Sequence, residues 1–238
     1  MTGVQTCALP ILSARATSGG INILETDTLI IDDTTATIHR VAADASVSDG
    51  TDAVQSDVIT TSDNGSIVIR VTTGDLTLND GSAADDNTAI SANGTGNILL
   101  ETIDGSITAN EDVLSGSGDI TVLASGSIEF TAEADITTSL TGTIDLEATA
   151  GSITLATDAD QTTGSGDVRM LAGVDITLGG VITTTGSVSL TTDSGSIFDG
   201  DSDGSVDIIA AALRIDAAIG AGVLGGSVTP IETTIDTL

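Results

Sequence analysis

GTIDLEATAGSITL, residues 142–155, contains two copies of one phrase: a glycine, a small polar residue, an aliphatic, a polar residue and a second aliphatic. The phrase recurs as GSIVI at Gly65, GDLTL at Gly74, GNILL at Gly96, GSITA at Gly105, GDITV at Gly118, GSIEF at Gly126, GDVRM at Gly166 and GSVSL at Gly186. Copies come in close pairs, Gly96 with Gly105, Gly118 with Gly126, Gly142 with Gly151 and Gly186 with Gly195. Successive pairs begin about 20–24 residues apart, a period that marks a solenoid or an array.

Within each phrase the two aliphatics are two positions apart, so in an extended strand they share one face and the polar residue between them takes the other. Ile144, Leu146, Ile153 and Leu155 are therefore core, and Asp145 and Thr154 are wet. Val68, Leu99 and Phe198 break the alternation and read either as irregularities of register or as small apolar contact spots. The opening glycine fits a corner whose backbone angle a β-carbon would penalise. After each pair there is room for a third, weaker strand, as at Asp112-Val113-Leu114, Asp135-Ile136-Thr137 and Val181-Ile182-Thr183. The pattern predicts an all-β chain folded as a right-handed parallel β-helix, in coils of about 20–24 residues with three strands each and roughly ten coils in all. A β-sandwich array is the rival, but it normally needs bulky aromatics between its sheets. Aromatic residues are 1% of this chain.

Three stretches are distinguished. Thr2 to Ile11 share neither the phrase nor the composition of the rest and resemble a translated sequencing adapter, so residues 1–11 are set aside together with Cys7, the only cysteine. Residues 12–64 read as irregular β-helix coils, with strands at Leu29-Ile30-Ile31, Ala36-Thr37-Ile38 and Val58-Ile59-Thr60. Residues 65–238 are the regular repeats, broken by an excursion from Asn79 to Asn93 that reads as a loop on one side of the rod.

The chain of 238 residues has five arginines, no lysine and 35 acids, for a formal net charge of −30. Five scattered arginines make no basic surface to neutralise phosphates, which excludes nucleic acid as a partner. No apolar run approaches a membrane span, so no membrane insertion is expected.

The sharpest chemical motif is FDGDSDGSVD, residues 198–207. Asp199, Asp201, Asp203 and Asp207 stand at spacings that bring carboxylate oxygens together across a tight turn, as calcium requires. The loop resembles the D-x-D-x-D-G-x-x-D calcium loops of thrombospondin type 3 and dockerin modules. It departs from an EF-hand loop because the twelfth position is Ala210 rather than a bidentate glutamate. The competing reading is an acidic corner on an acidic protein. Calcium is the one cofactor this motif suggests.

No catalytic residue is assigned, and the chain is expected not to be an enzyme. His39, Arg40, Arg70 and Arg169 are scattered, Trp and Tyr are absent, and no carboxylate pair stands out. A site needs a convergent set of groups, which the sequence does not announce.

With the GSITL and GDITV phrases in view, and with the closing passage from Gly195 through Leu213-Arg214-Ile215 to Pro230-Ile231-Glu232-Thr233-Thr234-Ile235, the chain resembles the repeat regions of filamentous-haemagglutinin-like adhesins, giant surface exoproteins of bacteria. The resemblance implies a fragment of a longer extracellular or surface-displayed protein, a structural or adhesive rod. Its partners would be neighbouring repeats of the same polypeptide and glycans or proteins of host cells or matrix. A calcium- or glycan-binding module on a β-helix is the alternative, and a polysaccharide-degrading β-helix a distant one.

Overall fold

The structure, a computed structural model, describes residues 10–83, 86–132, 134–201, 204–223 and 230–236. It is all-β. Three parallel sheets of nine, nine and eight strands form the faces of a solenoid, and one two-stranded antiparallel sheet lies apart from them. A single coil shows the plan: Ile107–Ala109 on face 1, Asp112–Ser115 on face 2 and Ile120–Ala124 on face 3, after which Ile128–Phe130 returns to face 1 one level on. Among the described residues, eight levels carry all three strands and a ninth carries two, a little short of the number the period suggests.

Registration is like on like. On face 3 the strands align Ile67, Ile98, Ile120, Ile144, Val168 and Val188 in one column, and Ile69, Leu100, Val122, Leu146, Met170 and Leu190 in the next. All of these are buried, as are Ile153 and Leu155 on face 1, and the residues between them face outward. Apolar side chains of similar size stacked at about 4.8 Å fill a narrow interior in which Phe130 is the one buried aromatic among the described residues. Val68 and Leu99 lie opposite one another in regular register, and Phe198 lies opposite Thr177, so these three are outward-facing apolar residues and not slips.

The motif glycines are required for a different reason from the one their sequence suggests. Gly74 alone among them has a left-handed backbone, with φ at 92°. Most of the others stack on a glycine one coil away: a β-carbon on Gly105 would lie 1.9 Å from the carbonyl oxygen of Gly74, and one on Gly118 2.2 Å from that of Gly96. The constraint is close approach between coils rather than corner angle. Hydroxyls at strand ends satisfy several of these glycine carbonyls from inside, Thr102 to Gly105 at 2.9 Å, Thr138 to Gly118 at 2.7 Å and Thr163 to Gly166 at 2.7 Å.

The small polar residue after each glycine also has a task. The Ser106 hydroxyl accepts the amide of Ser127, and Ser127 that of Ser152, at 3.1 and 3.2 Å. On the neighbouring corner the Asn97 side chain accepts the amide of Asp119, and Asp119 that of Thr143, each at 2.9 Å. Each side chain thus caps an amide one coil away that the sheet ladder leaves open.

The long connections share one corner, that between faces 1 and 2. Between Leu29–Ile31 and Val58–Thr60 the chain leaves the stack as an antiparallel hairpin, Thr37–Val41 with Val47–Thr51, exposed along both strands. The Asn79–Asn93 excursion is shorter than read, because Thr88–Ala92 is a face 2 strand paired with Val58–Thr60 and Asp112–Ser115. The acidic loop after Asp199 leaves from the same corner, and Ile208–Ala210 resumes face 2 in register with Ile182 and Thr183. That loop lengthens its coil without interrupting the ladder. At the near end the first strand among the described residues is Ile11–Leu12, which pairs with Ile30 and Ile31.

Candidate metal centre

The residue that enters a face 2 strand is an acid at six of nine levels, Asp57, Asp112, Asp135, Asp160, Asp207 and Glu232, with Ser13, Thr88 and Val181 at the other three. Stacking turns this into a column. The Asp112 carboxylate accepts the backbone amide of Asp135, that of Asp135 accepts the amide of Asp160, and that of Asp160 accepts the amide of Val181, each at 2.8 Å. The Asp207 carboxylate does the same for Glu232, also at 2.8 Å. One oxygen of each is thereby committed to the backbone while its charge faces the next acid.

Among the described residues, every carboxyl held above its ordinary range belongs to this column. Burial raises Asp57, with the charges of Asp80 and Asp86 adding to it and the Ser56 hydroxyl opposing it. Burial likewise raises Asp112 and Asp135, helped by the like charges of Asp135 and Asp86 on the first and of Asp160 and Asp158 on the second. Asp207 is pushed up furthest, to about 7, by burial and then by Asp199, Glu232 and Asp201.

At two places the column widens into a cluster. Asp199, Asp201 and Asp207 each offer a carboxylate oxygen within 4.8 Å of the others. Asp199 takes part as the last inward residue of its strand, in the position that Leu178 fills one coil below, so a carboxylate replaces an aliphatic in the core row. Asp207 is buried at the entry to Ile208–Ala210, and Asp201 is half-buried between them. Asp203, the fourth residue read as a ligand, lies outside the described residues. Glu232, on the next coil, lies beside Asp207 outside this set, donating its amide to the Asp207 carboxylate, and its Oε2 is buried with no hydrogen-bond partner among the described residues.

The second cluster, Asp57, Asp80 and Asp86, is also within 4.8 Å oxygen to oxygen. Sequence reading passed over it. Asp57 sits at the foot of the hairpin and the other two in the next coil's connection, so no spacing within one loop announces the set. Two oxygen-only acidic clusters suit a hard cation such as calcium better than a transition metal.

His39 is exposed on the hairpin, with Nδ1 2.6 Å from the Asp49 carboxylate. Arg70 is paired with Glu101 on the adjacent strand, and Arg169 lies 2.6 Å from Asp145 and 2.9 Å from Glu147. Comparison with protein-family models, with curated proteins and with solved structures finds no match to this chain.

Proposed function

We propose that this chain is a structural rod segment of a large secreted or surface-displayed bacterial adhesin, either spacing an adhesive tip from the cell or forming part of the adhesive surface. The observation that supports it is the continuous parallel stack of nine-, nine- and eight-stranded faces, in register except for one shift between Thr88 and Ile90. Such a stack is a stiff strut of roughly 40 Å, with each coil supported only by its neighbours. Its partners are further coils at the ends and glycans or proteins of a host surface at the sides. No reaction is assigned; His39, Arg70 and Arg169 are each engaged by carboxylates.

The test is retention under flow of beads coated with the chain on cultured cells, matrix and immobilised glycans. Retention above that of beads carrying an unrelated protein of equal charge supports an adhesive surface. Equal retention overturns that part and leaves the spacer.

A second reading, calcium binding at Asp199, Asp201, Asp203 and Asp207, is favoured by the convergence of Asp199, Asp201 and Asp207 beside the buried Glu232 oxygen. Wild type and the Asp201→Ala, Asp203→Ala double variant are melted in calcium and in magnesium at matched ionic strength. A calcium-specific gain that the double variant loses supports it; an equal gain in magnesium, or a gain the variant keeps, reduces the loop to an acidic corner.

A further inference from the structure

Asp57 is 1% exposed and adopts a left-handed backbone, φ 64°, which turns it into the corner at the foot of the hairpin. Its Oδ2 accepts the Ser56 hydroxyl at 2.7 Å. Its Oδ1 is buried and makes no hydrogen bond of normal geometry among the described residues, although the Gly81 amide is near enough to the carboxyl to offset part of the cost of burial. Asp80, one coil on, repeats the arrangement: Oδ2 accepts the Asn87 amide at 3.0 Å, while Oδ1 is buried and likewise without a partner among the described residues. Asp86 is exposed and supplies the third oxygen of the 4.8 Å cluster. Arg15 lines the groove beside Asp57, but among the described residues it forms no ion pair with it.

Buried carboxylate oxygens left without donors are costly, and like charges beside them add to the cost. A proton shared between Asp57 and Asp80 would satisfy one pair and leave Asp86 outside the bond. An ion bound at about 2.4 Å from each oxygen satisfies all three, because ligands at that distance lie no more than about 4.8 Å apart. We propose that Asp57, Asp80 and Asp86 form a hard-cation site, with calcium as its ion, that ties the foot of the hairpin to the connection of the following coil. The site is independent of the Asp199 cluster, which lies in a coil near the far end of the rod.

The experiment is calcium titration of the full chain by calorimetry, with terbium luminescence as a second probe, on wild type, Asp57→Asn, Asp86→Asn and Asp201→Asn. Wild type is expected to bind two equivalents of calcium; Asp57→Asn and Asp86→Asn each lose one, and Asp201→Asn loses the other. Asp86 is exposed, so its variant tests the site even where Asp57→Asn fails to fold. If Asp86→Asn and a folded Asp57→Asn keep both equivalents while Asp201→Asn loses one, this site is refuted and the Asp199 reading stands. If Asp201→Asn keeps both while Asp86→Asn loses one, the reverse holds. A wild type that takes up no calcium overturns both.

Discussion

A β-carbon placed on Gly166 would lie 1.8 Å from the carbonyl oxygen of Gly142, one coil away. No side-chain rotation relieves such a contact, because the obstacle is backbone that is itself held in the ladder. Gly166→Ala is expected to destabilise by about 2–3 kcal/mol, the range of overpacking in a closed site. Gly220 has open space where its β-carbon would stand, and Gly220→Ala should change stability by less than about 0.5 kcal/mol. Denaturant melts of the two variants followed by circular dichroism make the comparison; equal losses would refute the stacking argument.

Gln161 sits in the core column of face 2 between Ile136 and Ile182, fully buried, with Oε1 unpartnered among the described residues. Its Nε2 donates to the Asp160 carbonyl at 3.1 Å, so only half of the amide is satisfied. Gln161→Ile continues the column and removes the orphan oxygen, for an expected gain of about 1–3 kcal/mol. Thermal melting that shows a loss would mean that the amide is held by a contact the isoleucine cannot replace.

How far the sequence announces this fold differs by feature. Ile144, Leu146, Ile153 and Leu155 are buried as their spacing requires, because alternation is a property of neighbours in the chain. The inward place of Asp199 depends on register with Leu178, and the meeting of Asp57 with Asp80 depends on a hairpin that brings distant residues onto adjacent coils. Those are relations between coils, which local spacing does not encode. The glycines were legible as constraints, but their cause was not, since the carbonyl each one faces belongs to another repeat.

Asp135 separates geometry from charge. Its carboxylate accepts the Asp160 amide, yet burial and the charge of Asp160 disfavour its ionised form. Asp135→Asn keeps an acceptor oxygen and drops the charge, so stability at neutral pH should be equal or higher. Asp135→Ala removes the acceptor and should cost about 1–2 kcal/mol. Denaturation midpoints of the pair give the answer, and a worse outcome for Asn than for Ala would contradict it.

Acid should stabilise this protein when cations are chelated. Asp112, Asp135 and Asp207 all have folded-state values above those of the unfolded chain, the last at about 7. The folded state therefore binds more protons than the unfolded one between the ordinary carboxyl range and neutrality. Stability falls as pH rises through that window and recovers as pH is lowered. Melting temperatures in chelator at constant ionic strength are expected to rise from about pH 7.5 to about pH 5, with calcium flattening the slope. A profile that declines steadily on acidification would show that the column is not where the chain's pH sensitivity resides.

The hairpin, the Asp80–Asp86 connection and the Asp199–Asp207 loop all leave the stack between faces 1 and 2, while glycine contacts close the corner at Gly105, Gly126 and Gly151. Segments of very different length are therefore absorbed along a single edge, and the strands on either side keep their partners. That edge can gain or lose sequence without re-phasing the coils above or below it. A foreign peptide inserted in the exposed turn between Val41 and Val47 should be carried passively, whereas the same insertion at Gly105 would have to break a backbone contact on each level it touches.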